Sequence, residues 1–159
     1  MEAAIPKPFM AATGIPATNP AGEWSSGLCD CFSDWKLCCM TCWCPCVTLG
    51  QIVEIVDKGQ TTCAVAGGIY FVLSYLTGCA WIYSCTMRDQ MRKQYMLTEQ
   101  PCNDCLVHFC CESCALCQEY RELQNRGFDP SIGWQENLAR QQAMVGLTVP
   151  PKVEEPMMR

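Results

Sequence analysis

Histidine is nearly missing from this 159-residue chain; His108 is the single one. Mechanisms that gather two or three imidazoles on one metal are therefore excluded within a protomer. Charge is scarce too. Only 17% of residues are Asp, Glu, Lys or Arg, against about 25% in an ordinary soluble domain. The balance is acidic, with 11 basic and 16 acidic residues and a net charge of −5. Without a basic surplus to follow a phosphate backbone, nucleic acid is not an expected partner. No glycine-rich phosphate loop occurs, because Ala66-Gly67-Gly68 lies inside an apolar stretch. A cysteine beside His108 would imitate a nucleophile and its base, but neighbouring thiols compete for oxidant and metal. The chain is not expected to be an enzyme. Residues 1–22 also lack the basic start and unbroken apolar run of a secretory signal, since Pro6, Pro8, Pro16 and Pro20 interrupt them. Most thiols are thus expected to meet a reducing compartment, where metal binding or burial outranks cystine.

What is plentiful is cysteine, with 16 residues, and apolar side chains at 50%. The length suits one domain. Residues 1–23 read as a disordered Pro/Ala/Thr-rich arm, 24–135 as a cysteine-rich domain and 136–159 as a tail. The expected fold class is all-α.

Residues 63–87 contain no Asp, Glu, Lys, Arg or His. As one helix they would reach about 37 Å, enough to cross a hydrocarbon core of about 30 Å with some tilt. The competing reading is a buried helix of a soluble protein. Ala64 and Gly68, and Ser74 and Gly78, are four apart, a spacing that lets membrane helices approach closely. Arg88, Arg92 and Lys93 follow the run, while Glu54, Asp57 and Lys58 precede it. The positive-inside rule places residue 88 onward in the cytosol, with helices expected within 88–127.

A second candidate helix covers 41–58. Thr48, Gln51, Glu54 and Asp57 recur every third residue, and Leu49, Ile52, Val53 and Val56 occupy the other side. Such a helix either lies in the interface or spans with its polar stripe turned toward protein or water. Paired with 63–87 it makes a membrane hairpin, with Gly59-Gln60 at the turn and both termini cytosolic.

The cysteines fall in two clusters. The first holds Cys38, Cys39, Cys42, Cys44 and Cys46, preceded by Cys29 and Cys31. Soft thiolates favour zinc, copper(I) and cadmium-like ions; the competing reading is packing, because free cysteine buries readily. The second holds Cys102, Cys105, Cys110, Cys111, Cys114 and Cys117 around His108. On a helix, Cys105, His108, Cys111 and Cys114 would form a ladder. A straight helix cannot wrap four ligands round one ion, so a zinc site here, structural or for a transported ion, needs a bend or a partner segment. Further on, Arg126-Gly127 reads as a helix end, Asp129-Pro130 as a new start, and Trp134 as an anchor.

Three stretches carry a resemblance: Trp24-Ser25-Ser26-Gly27-Leu28-Cys29; Cys38-Cys39 followed by Cys44-Pro45-Cys46; and Cys117-Gln118-Glu119-Tyr120-Arg121-Glu122-Leu123 with Arg126-Gly127-Phe128-Asp129-Pro130. With them, residues 24–135 resemble the placenta-specific-gene-8 domain family, whose plant members are called plant cadmium resistance proteins, cell number regulators or fruit-weight-like proteins. The resemblance implies a small, self-associating plasma-membrane protein. Within the family, cadmium resistance and zinc export, calcium entry, and restraint of organ size are all represented. Physics adds that two helices per protomer cannot enclose a water-filled path, so conduction would need a ring of copies. In such a ring Glu54 would form a carboxylate girdle, with Thr48, Gln51 and Asp57 along the same path. The Cys-Pro-Cys segment would sit at the cytosolic mouth. Two other readings stand beside this divalent-cation transporter: a zinc-stabilised, membrane-anchored scaffold that regulates cell number, and a thiol chelator.

Overall fold

The computed structural model describes residues 22–99 and 102–148. Most of the expected N-terminal arm and the end of the expected tail lie outside the described residues. The chain forms six α-helices: α1 (Trp35–Trp43), α2 (Pro45–Val56), α3 (Cys63–Thr77), α4 (Ala80–Tyr95), α5 (Asp104–Asn125) and α6 (Gly133–Thr148). Short 3₁₀ turns at Asp30–Ser33 and Pro130–Ile132 precede α1 and α6. There is no strand among the described residues, in keeping with the all-α expectation.

Local chemistry sets the helix ends. The Asp34 carboxylate accepts from the Leu37 N–H at 3.1 Å and starts α1. Cys44 leaves the helical region at φ −135° because Pro45 follows it, and Pro45 then opens α2. The two helices bend by 108° at this joint. Asn103 caps α5 through Cys105 N–H at 3.0 Å. Gly127, with φ +86°, follows the end of α5, and Asp129 caps the next turn as its sequence suggests.

Helix α2 is the centre of the molecule. Leu49, Ile52, Val53, Ile55 and Val56 are all buried, and α2 touches α1, α3, α4, α5 and α6. It runs antiparallel to α3 across a turn whose left-handed residues are Lys58 and Gly59, one position before the Gly59-Gln60 turn expected. The close approach is made at two glycines. Gly50 lies against Cys63, and Gly67 against the Cys46 carbonyl, where a Cβ would stand 2.7 Å from that oxygen. Gly67→Ala is expected to lower stability by about 2 kcal/mol, since crowding outweighs the gain in helix propensity. Thermal unfolding followed by circular dichroism checks it.

Three boundaries differ from expectation. The uncharged stretch 63–87 is not one helix. Gly78 takes the left-handed conformation at φ +65° and ends α3, the Thr77 hydroxyl accepts from Cys79 N–H at 3.1 Å, and α4 starts afresh. The 15 residues of α3 span only about 22 Å. Among the described residues no single helix is long and apolar enough to cross a membrane; α1 and α2 meet that length and composition only together, across their bend. Second, residues 41–43 belong to α1 rather than to the helix expected over 41–58, because Pro45 splits them. Third, part of the expected tail is α6, held by contacts described below.

The outward side of α3 is bare. Val65, Ile69, Phe71, Val72, Tyr75 and Leu76 are exposed, as are Trp35 and Trp43 of α1.

Candidate functional site

The polar stripe of α2 is spent largely inside the protomer. Thr48 is fully buried, its hydroxyl 3.1 Å from that of Thr41, which donates to Leu37 O. Glu54 divides its carboxylate between two helix starts: Oε2 accepts from Cys63 N–H at 2.8 Å and Oε1 from Trp134 N–H at 3.1 Å. An anionic group at two N-termini answers orphan donors and both helix dipoles. This contact, with Phe128 stacked on Trp134 at 5.9 Å, fixes the start of α6. Trp134 is thus an anchor against the body of the protein. Asp57 accepts from Thr61 N–H at 2.8 Å. Its other oxygen and the Gln51 side-chain carbonyl are buried with no hydrogen-bond partner among the described residues.

The second cysteine cluster does not form the expected ladder. Cys105 is joined to Cys85 in a disulfide, because α4 and α5 pack with these Cα atoms 5.0 Å apart, inside the range a cystine needs. It is therefore not free to ligate metal. The other cysteines are free thiols. His108 turns into the interior, with Nε2 2.9 Å from Glu119 Oε1. Cys102, Cys110 and Cys111 are exposed; Cys114, which also neighbours Cys111, meets Cys31 of the 3₁₀ turn before α1, and Cys117 lies near Thr41 of α1. The separation has a visible cause: α5 is kinked at Cys111, whose φ of −146° and ψ of 60° are not helical.

Beyond that kink the two clusters meet. The Cys114 thiol donates to Cys31 with their sulfurs 3.4 Å apart. Burial, then Cys31, push Cys114 up to about 12. Burial and the neighbouring Cys42, Cys117 and Cys31 push Cys38 up to about 11. Burial raises Cys117 also, opposed by the Thr41 hydroxyl and by Arg121. At neutral pH these groups are thiols, and any metal they take must displace protons. Cys39 and Cys46 are half-buried, and Cys42 and Cys44 are exposed. Among the described residues no three His, Cys, Asp or Glu groups are arranged to hold a metal ion.

The sequence reading missed a buried ion network. Arg88, taken there for a cytosolic surface charge, is 0% exposed. Its guanidinium donates to Glu119 Oε1 at 3.1 Å and Gln118 Oε1 at 2.7 Å, and lies 3.3 Å from Asp104 Oδ1. Arg92 closes on the other Asp104 oxygen at 2.9 Å, and the Trp24 ring covers Arg88 at 4.0 Å. Around this network the N-terminal segment is laced to α5. Ser25 N–H donates to Glu122 at 2.7 Å, Gln118 donates to Ser26 O at 2.8 Å, and Trp24 Nε1 donates to Thr98 O at 2.9 Å. Arg121 donates to Asp30 O and the Ser33 hydroxyl. The signal was present in the sequence: Trp24-Ser25-Ser26 and Gln118-Glu119-Tyr120-Arg121-Glu122 are two of the stretches that carry the resemblance, and they prove to be each other's partners.

Both stretches lie within the segment that matches a known family. The PLAC8 family model matches residues 24–122. Cell number regulator 10 of Zea mays is 63% identical over 127 residues, covering 79% of this chain and 81% of the relative. Cell number regulator 7 of Zea mays is 55% identical over 157 residues, covering 92% and 87%. Plant cadmium resistance 2 of Arabidopsis thaliana is 56% identical over 128 residues, covering 80% and 84%. No solved structure matches. Both ends of the matched segment are tied together by the contacts just described, and the chain belongs to the PLAC8 family.

Proposed function

We propose that this protein is a homo-oligomeric transporter of soft divalent cations, zinc and cadmium, seated in the plasma membrane with both termini cytosolic. The observation that carries the reading is the meeting of both cysteine clusters in one place, in a chain whose helix α3 turns a wholly uncharged face outward. Thiol sulfur selects soft cations over magnesium or calcium. The exposed α3 side chains, and the exposed Trp35 and Trp43 of α1, are the kind of surface that enters lipid or meets a sister copy. Relatives named for cadmium resistance and for cell number support a role in metal resistance or cell-number control.

The geometry changes the expected route. Glu54 is held by two helix starts, which takes support from an acidic girdle and gives it to sulfur as the ion's contact. The same observation favours a second reading, a membrane-anchored scaffold controlling cell number. Cadmium movement across sealed plasma-membrane vesicles from cells making the protein separates the two. Transport predicts faster cadmium movement than in vesicles from cells without it. Equal rates, with the protein present and folded, overturn transport in favour of the scaffold.

A further inference from the structure

Resting on the membrane-seated reading, we infer that Cys42 and Cys44 are a pair of S-acylation sites, taking long-chain fatty acyl groups that fasten the α1–α2 bend to the lipid surface. Trp35, Cys39, Cys42 and Trp43 follow one another at intervals of four, three and one, which puts them on one face of α1. That face looks outward. Trp35 and Trp43 are 74% and 86% exposed, Cys42 is exposed and Cys39 half-buried. Cys44 and Val47 continue the exposure past the bend. No charged residue occurs from Leu37 to Val53.

The surroundings of the bend favour lipid as its neighbour. Gly67 of α3 lies against the Cys46 carbonyl, so the bend stands beside the middle of α3. The half of α3 beyond Gly67 exposes Phe71, Val72, Tyr75 and Leu76. At about 22 Å, α3 is shorter than a hydrocarbon core of about 30 Å, and stable attachment of a partly inserted surface takes a second signal. Tryptophan settles at the membrane–water boundary, which holds the thiols beside Trp43 at the depth where an acyl chain enters. Cysteines on such a helix are the ones that S-acylation uses. Other exposed thiols lack this setting: Glu112 directly follows Cys110-Cys111, and Asp30 directly follows Cys29. In the step itself, the cysteine sulfur attacks the carbonyl carbon of a fatty acyl-coenzyme A. The new carbon–sulfur bond forms as the bond to coenzyme A breaks, and the thiol proton leaves on the coenzyme A sulfur. Nothing is oxidised or reduced.

The test uses the full-length protein in membranes of cells that make it. Free thiols are blocked with N-ethylmaleimide in denaturant, thioesters are cleaved with neutral hydroxylamine, and each thiol so released is tagged with maleimide-polyethylene glycol and counted by gel shift. Hydroxylamine leaves the Cys85–Cys105 cystine closed. Wild type should carry two hydroxylamine-dependent tags. Cys42→Ser/Cys44→Ser should lose both, and Cys29→Ser/Cys102→Ser, which alters two exposed thiols elsewhere, should keep both. Because a misfolded variant also escapes acylation, the single changes guard the result: Cys42→Ser and Cys44→Ser should each lose one tag and keep the other, a pattern that lost folding does not produce. Wild type without hydroxylamine-dependent tags, or Cys42→Ser/Cys44→Ser with as many tags as wild type, overturns the inference. Untagged protein that still moves cadmium in vesicles removes the acyl sites alone. Two tags without any cadmium movement leave the sites standing and remove transport alone.

Discussion

Arg88→Met is expected to lower the unfolding free energy by about 3–5 kcal/mol, the usual result of removing one member of a buried ion group. The size follows from what stays behind. Glu119 is fully buried and Asp104 nearly so, and each loses its guanidinium contact. Arg92 still reaches Asp104, but among the described residues Glu119 keeps only His108 as a charged or titratable partner. Adding Glu119→Gln to Arg88→Met should recover part of the loss, because a neutral amide is cheaper to bury than an unpaired carboxylate. Denaturant unfolding in detergent measures both. Trp24 fluorescence gives a local signal, since its ring rests on the guanidinium. A loss below about 1 kcal/mol would show that water reaches the carboxylates, and that the network is not the sealed interior described here.

Glu54→Ala is expected to cost about 2–4 kcal/mol. A charged acceptor bonded to a backbone donor is worth about 1.5–3 kcal/mol, and Glu54 serves two such donors at once. The group is half-buried, so the sum is discounted for screening. Glu54→Gln should cost about half as much, because one oxygen acceptor survives while the charge facing both helix dipoles is lost. Release of α6 should accompany the alanine change, read as faster amide exchange at Trp134 and the following turn. This separates two roles for one residue. If Glu54 lined an ion path, Glu54→Gln would reduce cadmium movement with the melting temperature unchanged. If it binds the helix starts, stability falls first.

Much of the architecture is visible in the residue order, and the parts that are not share one cause. Pro45, Asp129-Pro130 and Gly127 act within a single turn of chain, so their effects are readable locally. The stripe of Thr48, Gln51, Glu54 and Asp57 is also real, but periodicity gives only a face and never names what the face meets. Gly78 illustrates the limit. It reads equally as a small contact residue inside a long helix or as a left-handed terminator, and the structure takes the second. Arg88 shows the same ambiguity for charge: a rule about loops flanking spans placed it in solvent, whereas carboxylates 16 and 31 positions later draw it inward. The Cys85–Cys105 link and the joining of Cys31 to Cys114 depend likewise on elements far apart in sequence.

The lacing of Trp24, Ser25 and Ser26 to residues near 118–122 also bears on the order of biosynthesis. A chain leaving the ribosome amino end first makes Arg88 well before Gln118 and Glu119 exist. Until they emerge, the guanidinium must stay hydrated, the Ser25 amide has no Glu122, and the sulfurs beside Cys31 have no distal helix to meet. Closure thus waits for nearly the whole matched segment to be translated, a long-range dependence that slows folding and leaves the uncharged stretch around α3 exposed to holding factors or lipid in the interval.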